Sequence, residues 1–349
     1  MLRLLISVLL WWPALAAADM LKPASLEDQS PREALRKAVF GESKAHECKI
    51  LSKEPAGKIP QDESLAGAIT ALMSAIKGGD DKAMVPLFHP LLKVRSAQVK
   101  AALISIDRIS GGKSEVSLFR AYALNNVTGD VVLTECPEDG LKLYPLYGHP
   151  LQVGVWIQVS GKDEVARVYA VMIPGKSDWK IASWHVQQWT HAGKDIDTWR
   201  ADAAALRAKK DDLAAFIYLD LAAKLLDGGK FIEFPVAKDV VSERDSISGG
   251  KPMIDLLAPK FPGEDLAYAS SLFSRKGAAA LVRFRVPAEM SANAIKAHCV
   301  DRFQKLRTES WMRALAGMRC DYVLPRESAL KEGAMGGIFV DDETTPPKR

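Results

Sequence analysis

Between Asp178 and Trp189 the chain reads DWKIASWHVQQW, which sets three tryptophans and a histidine within twelve residues. Side chains of a strand point alternately to its two faces. As a strand, this stretch puts Trp179, Ile181, Ser183, His185, Gln187 and Trp189 on one side and Lys180, Ala182, Trp184, Val186 and Gln188 on the other. An imidazole titrates near neutrality, so His185 facing a cavity can act as general base or hydrogen-bond a ligand. Tyr122 and Tyr169 are its obvious polar companions, while the carboxylates fall in turns and on helices, leaving no strand with an inward Asp or Glu to orient the ring. A base with no orienting partner is weak, and the first expectation for His185 is a packed residue satisfied by backbone or water.

The tryptophans pose the same choice. Trp156, Trp184 and Trp189 can stack on a sugar or aromatic ligand, because indole offers a broad apolar face and one donor. They can equally fill a wide core or cement a homodimer through the sheet. Trp156 stands on the otherwise polar face of its strand, which makes it the candidate for exposed contact. The expected ligand-binding set is Trp156, His185 and Trp189.

Other spacings fall short of chemistry. SAIK, Ser74 to Lys77, has the S-x-x-K spacing of a serine nucleophile beside a lysine, but S-D-N and K-T-G are absent and a lysine at a helix end suits the dipole. SGGK, Ser248 to Lys251, lacks the rest of a phosphate loop and reads as a turn. His46 to Cys48 (HEC) and His298-Cys299 (HC) lack the C-x-x-C or H-x-x-x-H spacing that aligns metal ligands. Neither a metal nor a cofactor is expected.

The compartment follows from the first residues. Arg3, the apolar LLISVLLWWPALA and small residues at Ala14, Ala16 and Ala18 read as a secretory signal, cleaved after Ala16 or Ala18. No later stretch approaches the run of apolar residues a membrane helix needs. The expected product is periplasmic or secreted, with no membrane span in the mature chain. The full sequence has a formal charge of +4, +3 once Arg3 is removed, spread without Lys/Arg blocks, which argues against nucleic acid. An oxidising compartment favours disulfides among Cys48, Cys136, Cys299 and Cys320. Three pairings are open; keeping each bridge inside one domain selects Cys48 with Cys136 and Cys299 with Cys320.

The elements that position these residues divide the chain. Residues 19–62 lack sustained periodicity apart from PREALRKAVF and read as a flexible lead-in. Leu65, Ile69, Leu72 and Ile76 recur at helical spacing and stop at Gly78 and Gly79; Asp80 or Asp81 then caps a second helix that Pro86 kinks. After Val99 the period shortens to four strands, EVSLFRAYAL, LQVGVWIQVS, EVARVYAVMI and WKIASWHVQQW, an antiparallel sheet with two helices on one face. Residues 198 to 226 read as two helices. Beyond Gly228 and Gly229 come a hairpin turning at Lys276-Gly277, a helix with Ile295, Cys299, Phe303 and Leu306 on one face, and the strand MRCDYVLP.

A helix ending in KGGDDKAMVPLFHP, followed by a meander whose closing strand begins Trp179-Lys180-Ile181 and carries His185, resembles the cone-shaped NTF2-like (SnoaL-like) superfamily over about residues 64–191. Leu206, Ala215, Tyr218, Ala222 and Leu225 sit as in a tetratricopeptide (TPR-like) hairpin, though one unit is too little for a solenoid. The expected α+β architecture is therefore a signal peptide at 1–18, a lead-in at 19–62, a cone-shaped NTF2-like curved antiparallel sheet with packed helices at 63–195, a helical hairpin at 196–228, a small C-terminal α+β domain at 229–338 and a disordered tail at 339–349. The expected function is non-enzymatic binding of a small apolar ligand or an envelope protein. The resemblance implies the alternative, an isomerase, dehydratase or hydrolase with His185 as general base and Tyr122 or Tyr169 beside it.

Overall fold

The computed structural model describes residues 30–344, apart from 42, 44, 54–61, 127–132, 147, 163, 176–177, 230 and 329–335. The expected signal peptide lies outside the described residues. The chain forms two compact units: one comprises the described residues up to Lys162 with Ala166–Gln187 and Gly228–Glu233, the other Asp163–Val165, Gln188–Asp227 and everything from Phe234 onward.

In the first unit, α1 (Ser30–Phe40) and β1 (Glu47–Lys53) precede α2 (Glu63–Gly78), α3 (Asp81–Met84) and α4 (Ser96–Ser110). Strands β2 (Lys113–Asn125), β3 (Thr134–Glu135), β4 (Lys142–Leu143), β5 (Leu151–Gly161), β6 (Val165–Pro174) and β7 (Trp179–Gln188) follow, and β8 (Ile232–Glu233) returns later in the chain. The main sheet runs β1-β2-β5-β6-β7, with β2 antiparallel to β1 and β5; a small sheet runs β3-β4-β8.

Three local features differ from the sequence reading. The lead-in contains β1, an edge strand of the main sheet, paired from Glu47↔Asn125 to Lys53↔Arg120. Residues 96–110, where no helix is expected, form α4, with Val99, Leu103 and Ile106 buried at helical spacing. The proline-bearing second helix is short: α3 gives way at Val85–Leu87 to a 3₁₀ turn containing Pro86, because proline lacks the donor that the next helical turn requires.

α2 is set as its sequence dictates. Asp62 caps it by accepting from the Ser64 and Leu65 amides, and Gly79 ends it in the left-handed region at φ 64°. Its Leu65, Ile69, Leu72 and Ile76 and the buried face of α4 meet Val153, Val155, Ile157 and Val159 of β5 and Val168, Ala170 and Met172 of β6. Nearly all of these are inaccessible to solvent, so the space between helices and sheet is filled by side chains.

A bulge in β2 between Leu118 and Arg120 leaves Phe119 unpaired; Leu118, opposite Ile157, stays in that core, while Arg120, opposite Trp156, turns to the second face. β7 slips as well. Trp179 and Ile181 join the core, and then Trp184 and Val186 pack against it, so the inward set moves from odd to even positions. The expected strict alternation across Trp179 to Trp189 is thus broken, and His185 lies on the face away from the helices.

The second unit opens with the hairpin α5 (Ile196–Ala208) and α6 (Asp212–Leu225), followed by α7 (Pro235–Ser248) and α8 (Met253–Leu257). β9 (Asp265–Ser274) and β10 (Gly277–Arg285) form the expected antiparallel hairpin. α9 (Ala292–Leu306) and α10 (Ser310–Arg313) then cross over to β11 (Gly317–Val323), parallel to β10, and β12 (Gly337–Val340) closes the order β12-β11-β10-β9. Part of the expected disordered tail is therefore structured: Phe339 and Val340 pair with β11, and a turn continues to Thr344.

Both expected disulfides are present. Cys48 of β1 is bonded to Cys136, and Cys299 of α9 to Cys320 of β11. Among the described residues no helix is long and apolar enough to cross a membrane.

Candidate functional site

The sheet face away from α2 and α4 gathers most of the residues singled out by sequence. On β2, Tyr122 is fully buried and its hydroxyl donates to Asp139 Oδ2 at 2.8 Å; Arg120 Nη1 donates to the same oxygen at 2.6 Å. The Leu141 amide donates to Asp139 Oδ1 at 3.2 Å. Asp139 sits in a turn beginning at Cys136, whose carbonyl accepts from the Gly140 amide at 2.8 Å. The Cys48 disulfide thus ties to β1 the turn that supplies this carboxylate. Burial pushes the Tyr122 phenol well above its ordinary pKa, and burial works against the Arg120 charge, but Tyr122 and Asp139 outweigh it and hold Arg120 above its usual value. Tyr122 is a fixed proton donor here, with no access to a phenolate.

Beside this trio lies an aromatic patch. Trp156 of β5 meets Tyr122 edge-on at 5.9 Å, stacks on Phe119 at 5.8 Å, and meets Tyr169 of β6 edge-on at 6.1 Å. The Arg167 guanidinium lies 3.7 Å from the Phe119 ring centre, and its Nη2 donates to Gln158 at 3.2 Å. Trp156 is only 3% exposed, which overturns the expectation of an exposed contact: the polar face of its strand is covered by these side chains. Tyr169 OH lies over Gly154, where a Cβ would stand only 2.5 Å away, and among the described residues this buried hydroxyl has no hydrogen-bond partner. Burial pushes the Tyr169 phenol up too.

His185 is half-buried on this same face. A Cβ at Gly229 would stand 3.1 Å from His185 Nδ1, and Phe231, two residues on, meets Tyr169 at 6.4 Å. The segment around β8 therefore covers the patch. His185, Tyr122, Tyr169 and Trp156 are brought to one face, yet among the described residues neither phenol is hydrogen-bonded to the imidazole: the Tyr122 hydroxyl engages Asp139 and Arg120, and the Tyr169 hydroxyl has no hydrogen-bond partner. Trp189 belongs to the second unit, where it meets Phe234 at 5.9 Å. Trp184 packs edge-on against Phe88 in the helix-covered core.

Sequence reasoning missed Asp139, Arg120 and Arg167. The signal for Asp139 was available, because pairing Cys48 with Cys136 brings the PEDG turn, Pro137 to Gly140, against β1. Arg120 and Arg167 carried no signal beyond their place on alternating strands.

A second cluster, in the other unit, has the form of a hydroxyl–imidazole–carboxylate row. His298 Nδ1 lies 2.9 Å from Tyr322 OH and Nε2 lies 3.2 Å from Glu264 Oε1, which also takes an ion pair from Arg302. Tyr322 is fully buried, burial pushes its phenol up, and its hydroxyl also donates to the Ile295 carbonyl at 3.3 Å. The row is fixed by the Arg302 ion pair and by packing around Tyr322, with His298 and Glu264 partly exposed. Among the described residues no group of three or more His, Cys, Asp or Glu side chains is placed to hold a metal ion. No protein-family model matches the chain, and no curated protein or solved structure is significantly similar to it.

Proposed function

We propose that this chain is an exported, non-enzymatic binding protein whose target is another envelope protein. The observation that carries the reading is the filled interior of the first unit: Leu65, Ile69, Leu72, Val153, Val155, Ile157 and Val159 are all fully buried against one another where a ligand-holding cone would be open. This favours a protein partner over a small apolar ligand. Two further features support it. Both phenols beside His185 are held protonated by burial, and the Asp139 carboxylate is engaged by Tyr122, Arg120 and a backbone amide, which weakens the enzymatic alternative. The two disulfides favour the oxidising compartment.

We read the first unit as an NTF2-like domain adapted to binding, on the strength of α2 and α4 covering one face of a sheet that ends in the β5-β6-β7 meander. α5 and α6 are read as its TPR-like hairpin. Native mass spectrometry of the protein released from its own envelope tests the function. A complex carrying the added mass of a second protein at fixed stoichiometry is expected. An adduct of metabolite or lipid size would replace the reading with small-ligand binding, and a bare chain would overturn it.

A further inference from the structure

The second unit has a pocket of about 300 Å³ with Phe303, Met312 and Leu315 in its lining and three cations, Lys276, Arg307 and Arg313, beside them. The chain's own C-terminal turn contributes the remaining charge. Lys276 Nζ is 2.9 Å from Asp341 and 2.6 Å from Glu343, and Arg307 Nη2 is 2.6 Å from Asp342. The three carboxylates are not held alike. Asp341 is buried, with Oδ1 accepting from the Thr344 amide and hydroxyl at 2.8 Å. Asp342 and Glu343, by contrast, have side chains 72% and 78% exposed. Exposed ion pairs contribute little to stability, so these two contacts are cheap to exchange. Arg313 is exposed and makes no ion pair among the described residues, which leaves one cation of the site unmatched there.

We infer that this pocket is a docking site for an acidic peptide segment of the partner, and that Asp342 and Glu343 are a weakly held internal stand-in for it. The pocket offers what such a segment needs: the exposed Arg313 guanidinium, two further cations whose pairs with Glu343 and Asp342 are solvent-exposed, and an apolar floor for a neighbouring side chain. Asp341 stays as the anchor of the turn while the two exposed carboxylates yield. The inference names a surface and chemistry for the protein partner and rests on that functional reading.

Fluorescence anisotropy with the full chain tests it. The probe is a fluorescein-labelled peptide carrying Asp-Asp-Glu-Thr between flexible ends, with an Asn-Asn-Gln-Thr counterpart as control. The D342N/E343Q chain should bind the acidic probe about tenfold more tightly than the unmodified chain, the free-energy equivalent of two surface ion pairs. Adding Arg313→Glu should remove that binding, and the neutral probe should not bind. Equal affinity of the unmodified and D342N/E343Q chains, or binding indifferent to Arg313→Glu, overturns the inference. All substituted side chains are exposed, and an unchanged far-UV spectrum confirms the fold. If native mass spectrometry finds a partner that Arg313→Glu retains, the docking site fails while the binding function stands.

Discussion

Tyr169 and Gly154 show how a single side chain can be carried at a loss. A buried hydroxyl with no partner forfeits its hydration, about 1–3 kcal/mol, and Tyr169 is such a group. Tyr169→Phe should therefore leave the urea unfolding midpoint unchanged or raise it; a clear fall would mean that the hydroxyl has a partner. Gly154→Ala should do the reverse, since its new Cβ would press on the Tyr169 ring inside a packed patch, with overpacking typically worth about 1–3 kcal/mol. Combining the two should not recover full stability, because the ring carbons also lie near 3 Å. Tyr122→Phe differs again: it takes a donor from Asp139 and should lower stability by about 1–2 kcal/mol in the same denaturation assay. An unchanged midpoint would mean that the Tyr122–Asp139 hydrogen bond adds nothing net to stability.

At the scale of elements, the two disulfides differ in leverage. The Cys48–Cys136 bridge closes a separation of 88 residues and the Cys299–Cys320 bridge one of 21. On the chain-entropy argument they restrict the unfolded chain by about 4.6 and about 3.3 kcal/mol respectively. The double variant C48S/C136S should thus be less stable than C299S/C320S, measured by denaturant unfolding. It should also loosen the turn that carries Asp139, visible as a changed near-UV signal from Trp156; equal losses and an unchanged spectrum would contradict both points. The same elements show what was legible in the sequence. α2 was readable end to end because its cap, apolar spacing and terminal glycine agree. β5, β6 and β7 were readable from their β-branched runs. α4 was overlooked although Val99, Leu103 and Ile106 have helical spacing, since exposed Ile104 and a mixture of small and polar residues blur the stripe. β1 could not be read: ECKILSK is short, and its place is decided by pairing with β2 across the chain and by the disulfide. The slip in β7 was equally hidden, because a one-residue shift reverses every later side chain without leaving a mark in composition.

Over the whole molecule, burial lowers the pKa of His89 in the first unit and of His191 in the second, and the second unit's acid response has two separable steps. His191 is buried there, with Nε2 bonded to the Ser274 carbonyl at 2.5 Å and Nδ1 2.8 Å from the Gln188 amide nitrogen, which fixes the neutral tautomer. Burial lowers its pKa, against raising contributions from Glu164 and the Ser274 and Gly277 backbone. A lowered folded pKa means the unfolded chain takes up the proton first, so stability is complete above about pH 6.5 and falls as the pH drops below it. Asp220 gives a second step: burial raises its pKa, but Lys224, Ser271 and Arg244 outweigh this and hold it below the ordinary value. Its contribution is present above its unfolded pKa, near 4, and is lost as the pH falls through the folded one. Calorimetry should therefore show the second unit's melting temperature falling first between pH 7 and 5 and again below pH 4. His191→Gln should abolish the first fall and leave the second. A melting temperature flat from pH 7 to 5, or a first fall that survives His191→Gln, would place the titrating group elsewhere and remove His191 as the pH-sensitive joint between the residues after β7 and the end of β9.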